Sequence, residues 1–178
     1  MADPRRIRLI VSDVDGVWTD GKIIYVADHR EIKEFNVRDG LAVKLAQRAG
    51  IAVALLTSRR SPALERRARE LGITEVHQGA ADKLAELQRI VRKLGVAFDE
   101  VLYAGDDLPD LAPMKHAGVS AAPADAVAEV LEIATWRLER SGGHGAFREI
   151  VERLLRERDE WDRIIQEFTV GKPEAQSI

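Results

Sequence analysis

Short runs of apolar, β-prone residues alternate along the chain with charged, alanine-rich stretches whose apolar positions recur every three or four residues. Ile7-Arg8-Leu9-Ile10-Val11 is the first run, and Ile51 to Leu56, Glu75 to His77, Val101 to Ala104, Val119 to Ala121 and Thr135 to Leu138 follow. Between them, Asp39 to Ala49, Pro62 to Leu71, Ala80 to Leu94 and Ala124 to Ile133 carry the helical period. Strands separated by helices predict βαβ units, hence an α/β fold: a doubly wound, Rossmann-like parallel sheet with helices on both faces. Pro62 suits the first turn of its helix, and Gly50, Gly72 and Gly95 suit helix ends.

One segment departs from this rhythm. Gly21 to Phe35 places Ile23-Ile24-Tyr25-Val26 before the polar Asp28-His29-Arg30 and then Glu31 to Phe35, which predicts a β-hairpin after the first strand. Loops above the carboxyl edge of a parallel sheet carry substrate contacts, so this hairpin, about residues 21–36, is expected to form a flap or an oligomer contact. An ordinary sheet edge is the plainer alternative.

Composition narrows the class of protein. The 178 residues suit one domain, expected over 1–170 with a flexible tail at 171–178, and 46% hydrophobic with 32% charged residues is a globular balance. A net charge of -3 lacks the basic footprint of a nucleic-acid binder, so an anionic substrate must be held by a few placed cations or by a metal. The absence of cysteine excludes a disulfide framework and a thiolate metal site, and is compatible with a reducing cytoplasm. No apolar stretch approaches the ~20 residues of a membrane span, and Met1 to Arg8 lacks a signal-peptide core, so a cytoplasmic protein without a membrane partner is expected.

The candidate chemistry gathers at strand ends. Asp13 and Asp15 follow the first apolar run and precede Gly16, at the carboxyl end where open α/β sheets bind ligands. In an extended segment they point the same way, so one carboxylate could attack while the other handles a proton. Thr57-Ser58-Arg59 ends the run Val53 to Leu56, Lys83 lies near a helix start, and Gly105-Asp106-Asp107-Leu108-Pro109-Asp110 ends the run Val101 to Ala104. A hydroxyl, backbone N–H groups and a lysine suit phosphate oxygens. Asp106 with Asp13 offers the hard oxygen ligands that Mg²⁺ prefers. Taken singly, Thr57, Lys83, Asp106 and Asp110 also suit a strand-end hydroxyl, a solvated lysine and helix caps.

In this order the residues resemble the haloacid dehalogenase superfamily of aspartate-nucleophile phosphatases. Asp13-Val14-Asp15-Gly16-Val17, Thr19-Asp20-Gly21, Phe35-Asn36-Val37-Arg38-Asp39-Gly40, Gln78-Gly79 before Lys83, Gly105-Asp106-Asp107-Leu108 and Gly142-Gly143-His144-Gly145-Ala146 narrow the likeness. They are similar to its capless phosphatases of eight-carbon keto-deoxy sugar acid phosphates, which act in lipopolysaccharide precursor synthesis. The resemblance implies Asp13 as nucleophile and Mg²⁺ ligand, Asp15 as general acid and base with its carbonyl on the metal, and Asp106 as a further ligand. It implies Thr57 and Lys83 around the phosphoryl group, with Asp107 supporting the metal or Lys83. Ser58, Arg59, Arg38 and His144 become candidates for the substrate. It also implies a homotetramer in which hairpins pack together and a neighbour's tail, here from Arg163 onward, approaches the site. Ser58 and His144 depart from the usual glycine and arginine of the pattern. A nine-carbon keto sugar acid phosphatase shares these core motifs. A phospho-receiver would place its lysine after the last acidic strand end rather than before it, and an inactive assembly module would not need every core residue.

Overall fold

The computed structural model describes residues 3–27 and 31–170; the polar turn expected at Asp28-His29-Arg30 and the tail expected at 171–178 lie outside the described residues. In chain order the elements begin with β1 (Leu9–Ser12), β2 (Ile24–Tyr25), β3 (Glu31–Ile32), α1 (Val37–Arg48) and β4 (Ala52–Thr57). There follow α2 (Pro62–Leu71), β5 (Glu75–Gln78), α3 (Lys83–Leu94), β6 (Val101–Ala104) and α4 (Leu111–His116). The chain continues through β7 (Val119–Ala122), α5 (Ala128–Ile133), β8 (Trp136–Arg137), α6 (Ala146–Glu157) and α7 (Trp161–Val170).

Six strands form one sheet in the order β5-β4-β1-β6-β7-β8, and every pair in it is parallel. The chain leaves β1 toward β4 and β5, then returns to its other side for β6, β7 and β8. β1 is therefore the point where the winding reverses, and a crevice opens beyond its carboxyl end. Both faces of the sheet are covered, and side chains alternate between them with the period of two. Ile10, Val53, Leu55, Leu102 and Ala104 join the core under α1, α2, α6 and α7. Leu9, Val11, Ala54, Leu56, Val101 and Tyr103 join the core under α3, α4 and α5. The predicted doubly wound sheet is the observed one.

Helix ends follow their caps. α1 starts two residues before the predicted Asp39, because Asn36 accepts a bond from the Arg38 N–H. α3 starts at Lys83 rather than Ala80, because Asp82 accepts from the Ala85 N–H at 2.9 Å. α2 and α3 end on Gly72 and Gly95, as expected. α5 is shorter than predicted, since Ala124 N–H is drawn to the Arg140 carbonyl at 3.1 Å and Ala126 N–H turns back to Pro123.

The largest difference lies after the Gly-rich loop. α6 is absent from the sequence reading, although Phe147, Ile150, Val151, Leu154 and Leu155 repeat at helical spacing and are fully buried. The stretch from Arg163, expected to be a tail, is helical as far as Val170. Trp161 and Ile164 insert into the core, and the guanidiniums of Arg148 and Arg156 lie 5.1 and 5.2 Å from the Trp161 ring. β2 and β3 form the predicted hairpin, pairing Ile24 with Ile32 and Tyr25 with Glu31.

Asp39 ties the two main helices of one face together. It lies in the first turn of α1 with no solvent exposure and accepts a 2.7 Å bond from the Arg148 N–H in the first turn of α6. A free N–H of one helix is thus satisfied by a carboxylate from another. Burial pushes the Asp39 carboxyl up to about 6, against the opposing pull of that N–H and of Arg140, Arg148 and Arg67. The raised value means that protonation favours the folded state: this contribution is full below about 3.8 and lost as pH rises through about 6. Chemical denaturation of wild type and Asp39→Asn should therefore show the stability difference moving in favour of the asparagine variant by ~3 kcal/mol between pH 3.5 and 7.5. A pH-independent difference would contradict the assignment.

Candidate active site

Three strand ends and one helix start converge at the crevice. Asp13 follows β1 and continues its ladder by one bond, its N–H donating to the Ala104 carbonyl at 2.9 Å. Thr57 ends β4, Asp106 lies two residues past β6, and Lys83 opens α3. Together with Asp15, Ser58, Arg59 and Asp110 they line a cleft of about 250 Å³.

The loop that carries the aspartate pair is pinned by its apolar residues. Val14, Val17 and Trp18 are buried, and the Val14 carbonyl accepts from the N–H groups of Val17, Trp18 and Thr19. The Trp18 indole donates to Ser12 Oγ at 3.0 Å, and its ring centroid lies 4.5 Å from that of Phe147. Gly16, at φ +91°, passes so close to the end of β6 that a Cβ there would sit 2.0 Å from Asp106 Oδ2. A Cβ on Gly142 would sit 2.0 Å from the Gly16 carbonyl oxygen, and Gly143 N–H donates to the Val17 carbonyl at 3.1 Å. The Gly-rich loop is thus a backbone buttress behind the aspartate loop. His144, which it carries, is exposed and does not line the cleft; nor does Arg38, exposed on α1. These two sequence candidates stand apart from the others because their backbones pack in place while their side chains leave the crevice.

The charges at the cleft floor are unbalanced. Lys83, only 5% exposed, reaches Asp13 Oδ2 at 3.0 Å and Asp110 Oδ1 at 2.7 Å. Burial would lower its pKa, but the two carboxylates hold it above the ordinary lysine value. Burial and the neighbouring Asp110 push Asp13 up to about 6, with Lys83 opposing them. Burial, Asp13 and Asp110 push Asp106 up to about 8. Asp13 Oδ1 and Asp106 Oδ1 are buried and have no hydrogen-bond partner. Carboxylate oxygens of Asp13, Asp106 and Asp110 lie within 4.8 Å of one another. Asp110 is otherwise occupied: Oδ1 also accepts from the Tyr103 hydroxyl at 2.8 Å, and Oδ2 from the N–H groups of Asp106 and Asp107 at 3.3 and 3.4 Å. Orphaned oxygens on Asp13 and Asp106 therefore fit a hard divalent cation, and Asp110 fits the lysine.

Lys83 is supported by Asp110 and not by Asp107, whose exposed carboxylate caps the following turn through the Leu108 N–H at 2.7 Å. Thr57 Oγ1 accepts from the Arg59 N–H at 3.1 Å, shaping the turn that presents Ser58 and Arg59. The sequence reading missed Asp110 as the lysine's partner, Tyr103 behind it, and the hairpin pair Glu31 and Lys33. Lys33 pairs with Asp15, and Glu31 with Arg59. Their spacing of two along an extended hairpin strand was the available signal, since it aims both at the crevice.

A buried ammonium on the Asp13 carboxylate, beside orphaned carboxylate oxygens that fit a divalent cation, at the winding reversal of a doubly wound sheet is the equipment of phosphoryl transfer. A family model for haloacid dehalogenase-like hydrolases matches residues 33–118. The chain is 41% identical over 155 residues to 3-deoxy-D-manno-octulosonate 8-phosphate phosphatase KdsC of Escherichia coli strain B / BL21-DE3, covering 87% of this chain and 82% of that one. The phosphatase of Moraxella catarrhalis, solved with magnesium ion, phosphate ion and KDO, matches with TM-score 0.91 and 37% identity over 93% of this chain and 95% of that chain. The cobalt-bound phosphatase of Haemophilus influenzae matches at TM-score 0.90 and 37% identity over 94% and 99%. The chain belongs to the haloacid dehalogenase-like hydrolases and, within them, to the family of 3-deoxy-D-manno-octulosonate 8-phosphate phosphatases.

Because Asp106 and Asp13 hold protons up to about 8 and about 6, a cation binding there must displace them. Titration calorimetry with Mg²⁺ at pH 7 in buffers of different ionisation heat should show proton release, with affinity rising from pH 6 to about 8.5. Buffer-independent heats would contradict the raised carboxyls, and the absence of any saturable binding would contradict the cation site.

Proposed function

We propose that this chain is a Mg²⁺-dependent phosphatase that converts 3-deoxy-D-manno-octulosonate 8-phosphate to the free sugar acid and inorganic phosphate, supplying lipopolysaccharide synthesis from the cytoplasm. The observation that carries this reading is the Asp13 carboxylate, held by Lys83 with one oxygen orphaned beside Asp106, in a chain 41% identical to such an enzyme. Asp13, Asp106 and the Asp15 carbonyl would hold Mg²⁺, which would supply positive charge against the phosphoryl oxygens. Asp13 attacks phosphorus, and the bond from phosphorus to the sugar oxygen breaks as that oxygen takes a proton from Asp15. Asp15 then takes a proton from the water that hydrolyses the aspartyl-phosphate. Lys83, kept in place by Asp110, offsets the charge that would otherwise repel a carboxylate from a phosphate. Thr57 and the turn at Ser58 hold the phosphoryl oxygens. Arg59, at the cleft wall, reads the sugar acid, a role for which its planar fork suits a carboxylate.

The cleft is smaller than the ~300–1,000 Å³ of a typical small-molecule site, so the sugar needs further walls. Ile23, Ile24, Tyr25 and Ile32 of the hairpin are exposed, Tyr25 at 69%, and such an apolar surface suits burial against copies of the same chain. A homotetramer built on these hairpins completes the site, with residues 1–170 as the catalytic domain and 171–178 as a tail. Among the described residues no helix is long and apolar enough to cross a membrane.

A panel of sugar phosphates assayed with Mg²⁺ and with chelator tests the reading. Turnover should favour the eight-carbon acid, vanish with chelator, and fall on the order of 10³-fold or more in Asp13→Asn. Equal rates for wild type and variant would sink the nucleophile, and preference for a nine-carbon acid would reassign the substrate. Light scattering should return the mass of a tetramer; a monomer would contradict the shared site.

A further inference from the structure

The hairpin contributes a second, separate charge system to the cleft. Lys33, whose side chain is 3% exposed, pairs with Asp15 Oδ1, and its ammonium lies 3.4 Å from Glu31 Oε1. Glu31 Oε2 pairs with Arg59, and Arg59 Nε lies 3.9 Å from Asp15 Oδ2. Two anions and two cations therefore alternate around a ring that joins β3 to the ends of β1 and β4. The ring is neutral, unlike the cleft floor. On the hairpin side Phe35 packs against the core, whereas Ile24, Tyr25 and Ile32, nearer the turn, are exposed. The ion pairs thus fasten the outer part of the hairpin over the site, beyond Phe35.

The ring also distinguishes the two oxygens of Asp15. Oδ1 is occupied by Lys33, whereas Oδ2 is buried without a hydrogen-bond partner. A carboxylate with both oxygens free rotates about its last bond, and only some of its orientations direct a lone pair or proton at the leaving oxygen. Anchoring one oxygen removes that freedom and leaves the other as the proton-handling atom. We propose that Lys33 is a positioning residue: the hairpin delivers its ammonium to Asp15 Oδ1, which aims Oδ2 at the sugar oxygen. This deepens the phosphatase reading and rests on it. In the step concerned, the proton on Oδ2 passes to the leaving oxygen as its bond to phosphorus breaks, and the electron pair of the O–H bond stays on Asp15. Glu31 holds Arg59 against the ring and keeps Lys33 from drifting outward.

A structural role and a positioning role differ in how they depend on the leaving group. A sugar oxygen is a poor leaving group that needs the proton, whereas a nitrophenolate departs without one. Full-length wild type and Lys33→Met should be compared on the eight-carbon sugar acid phosphate in the steady state and on p-nitrophenyl phosphate in the pre-steady-state burst, which reports phosphorylation of Asp13. We expect kcat on the sugar phosphate to fall at least ~10-fold, within the range of general-acid effects, and the burst rate to change less than about 3-fold. Equal losses on both substrates, a change confined to KM, or no loss would overturn the proposal. Wild-type inactivity on both substrates would instead overturn the phosphatase reading. Independent of activity, hydrogen exchange at the β2 and β3 amides should quicken in Lys33→Met while β1 and β4 stay protected; unchanged hairpin exchange would overturn the docking of Lys33.

Discussion

Everything at the crevice depends on one imbalance: three carboxylates, Asp13, Asp106 and Asp110, share a buried space with one ammonium, Lys83. Burial and the neighbouring carboxylates push Asp13 up to about 6 and Asp106, which has no lysine on it, up to about 8. Such a cluster is stable only with protons or a further cation. The backbone is arranged to sustain this cost. Asp110 receives two backbone N–H bonds and a tyrosine hydroxyl, so its charge is well solvated by the protein, and Lys83 is delivered by a helix whose start is set by Asp82. Within this cluster, what stays unsatisfied is one oxygen of Asp13 and one of Asp106.

Packing supplies the precision that this arrangement needs. Gly16 leaves room for the Asp106 carboxylate and Gly142 for the Gly16 carbonyl, each at a distance that a Cβ would forbid, and Trp18 locks the result by joining Ser12 to Phe147 of α6. α6 in turn is capped by Asp39 of α1. The cleft is therefore supported from behind by elements far along the chain, including a loop and a helix that contribute no side chain to the cleft.

The doubly wound parallel sheet, and the gathering of Asp13, Asp15, Thr57, Lys83 and Asp106 at one cleft, were legible because each residue sits at a strand end or helix start, where pattern alone predicts direction. Asp110 and Lys33 were not, because their partners lie 27 and 18 residues away and only the folded chain shows which lysine meets which carboxylate. α6 carried a clean helical period, but its apolar positions stand among arginines and glutamates and follow a glycine cluster that reads as a loop. Trp161 turned an expected tail into a helix by giving it something to bury. His144 and Arg38 stand outside the cleft lining of the single chain. Their motifs are required by the fold for backbone close packing and for capping, as Gly142 and Asn36 show, and side chains within such motifs need not face the site.

The two charge systems meet at Asp15, and their difference explains why the hairpin matters. The floor is anionic and rigid, and its residues suit phosphoryl transfer from any monoester. The ring above it is neutral and attached to a flap with little core of its own, so an incoming anion competes with Glu31 for Arg59 without creating a net charge on the protein. The contact of Arg59 with the sugar acid and the aiming of Asp15 by Lys33, both proposed above, thus run through one ring of ion pairs, on a hairpin that gives Phe35 to the core and leaves Ile24, Tyr25 and Ile32 exposed.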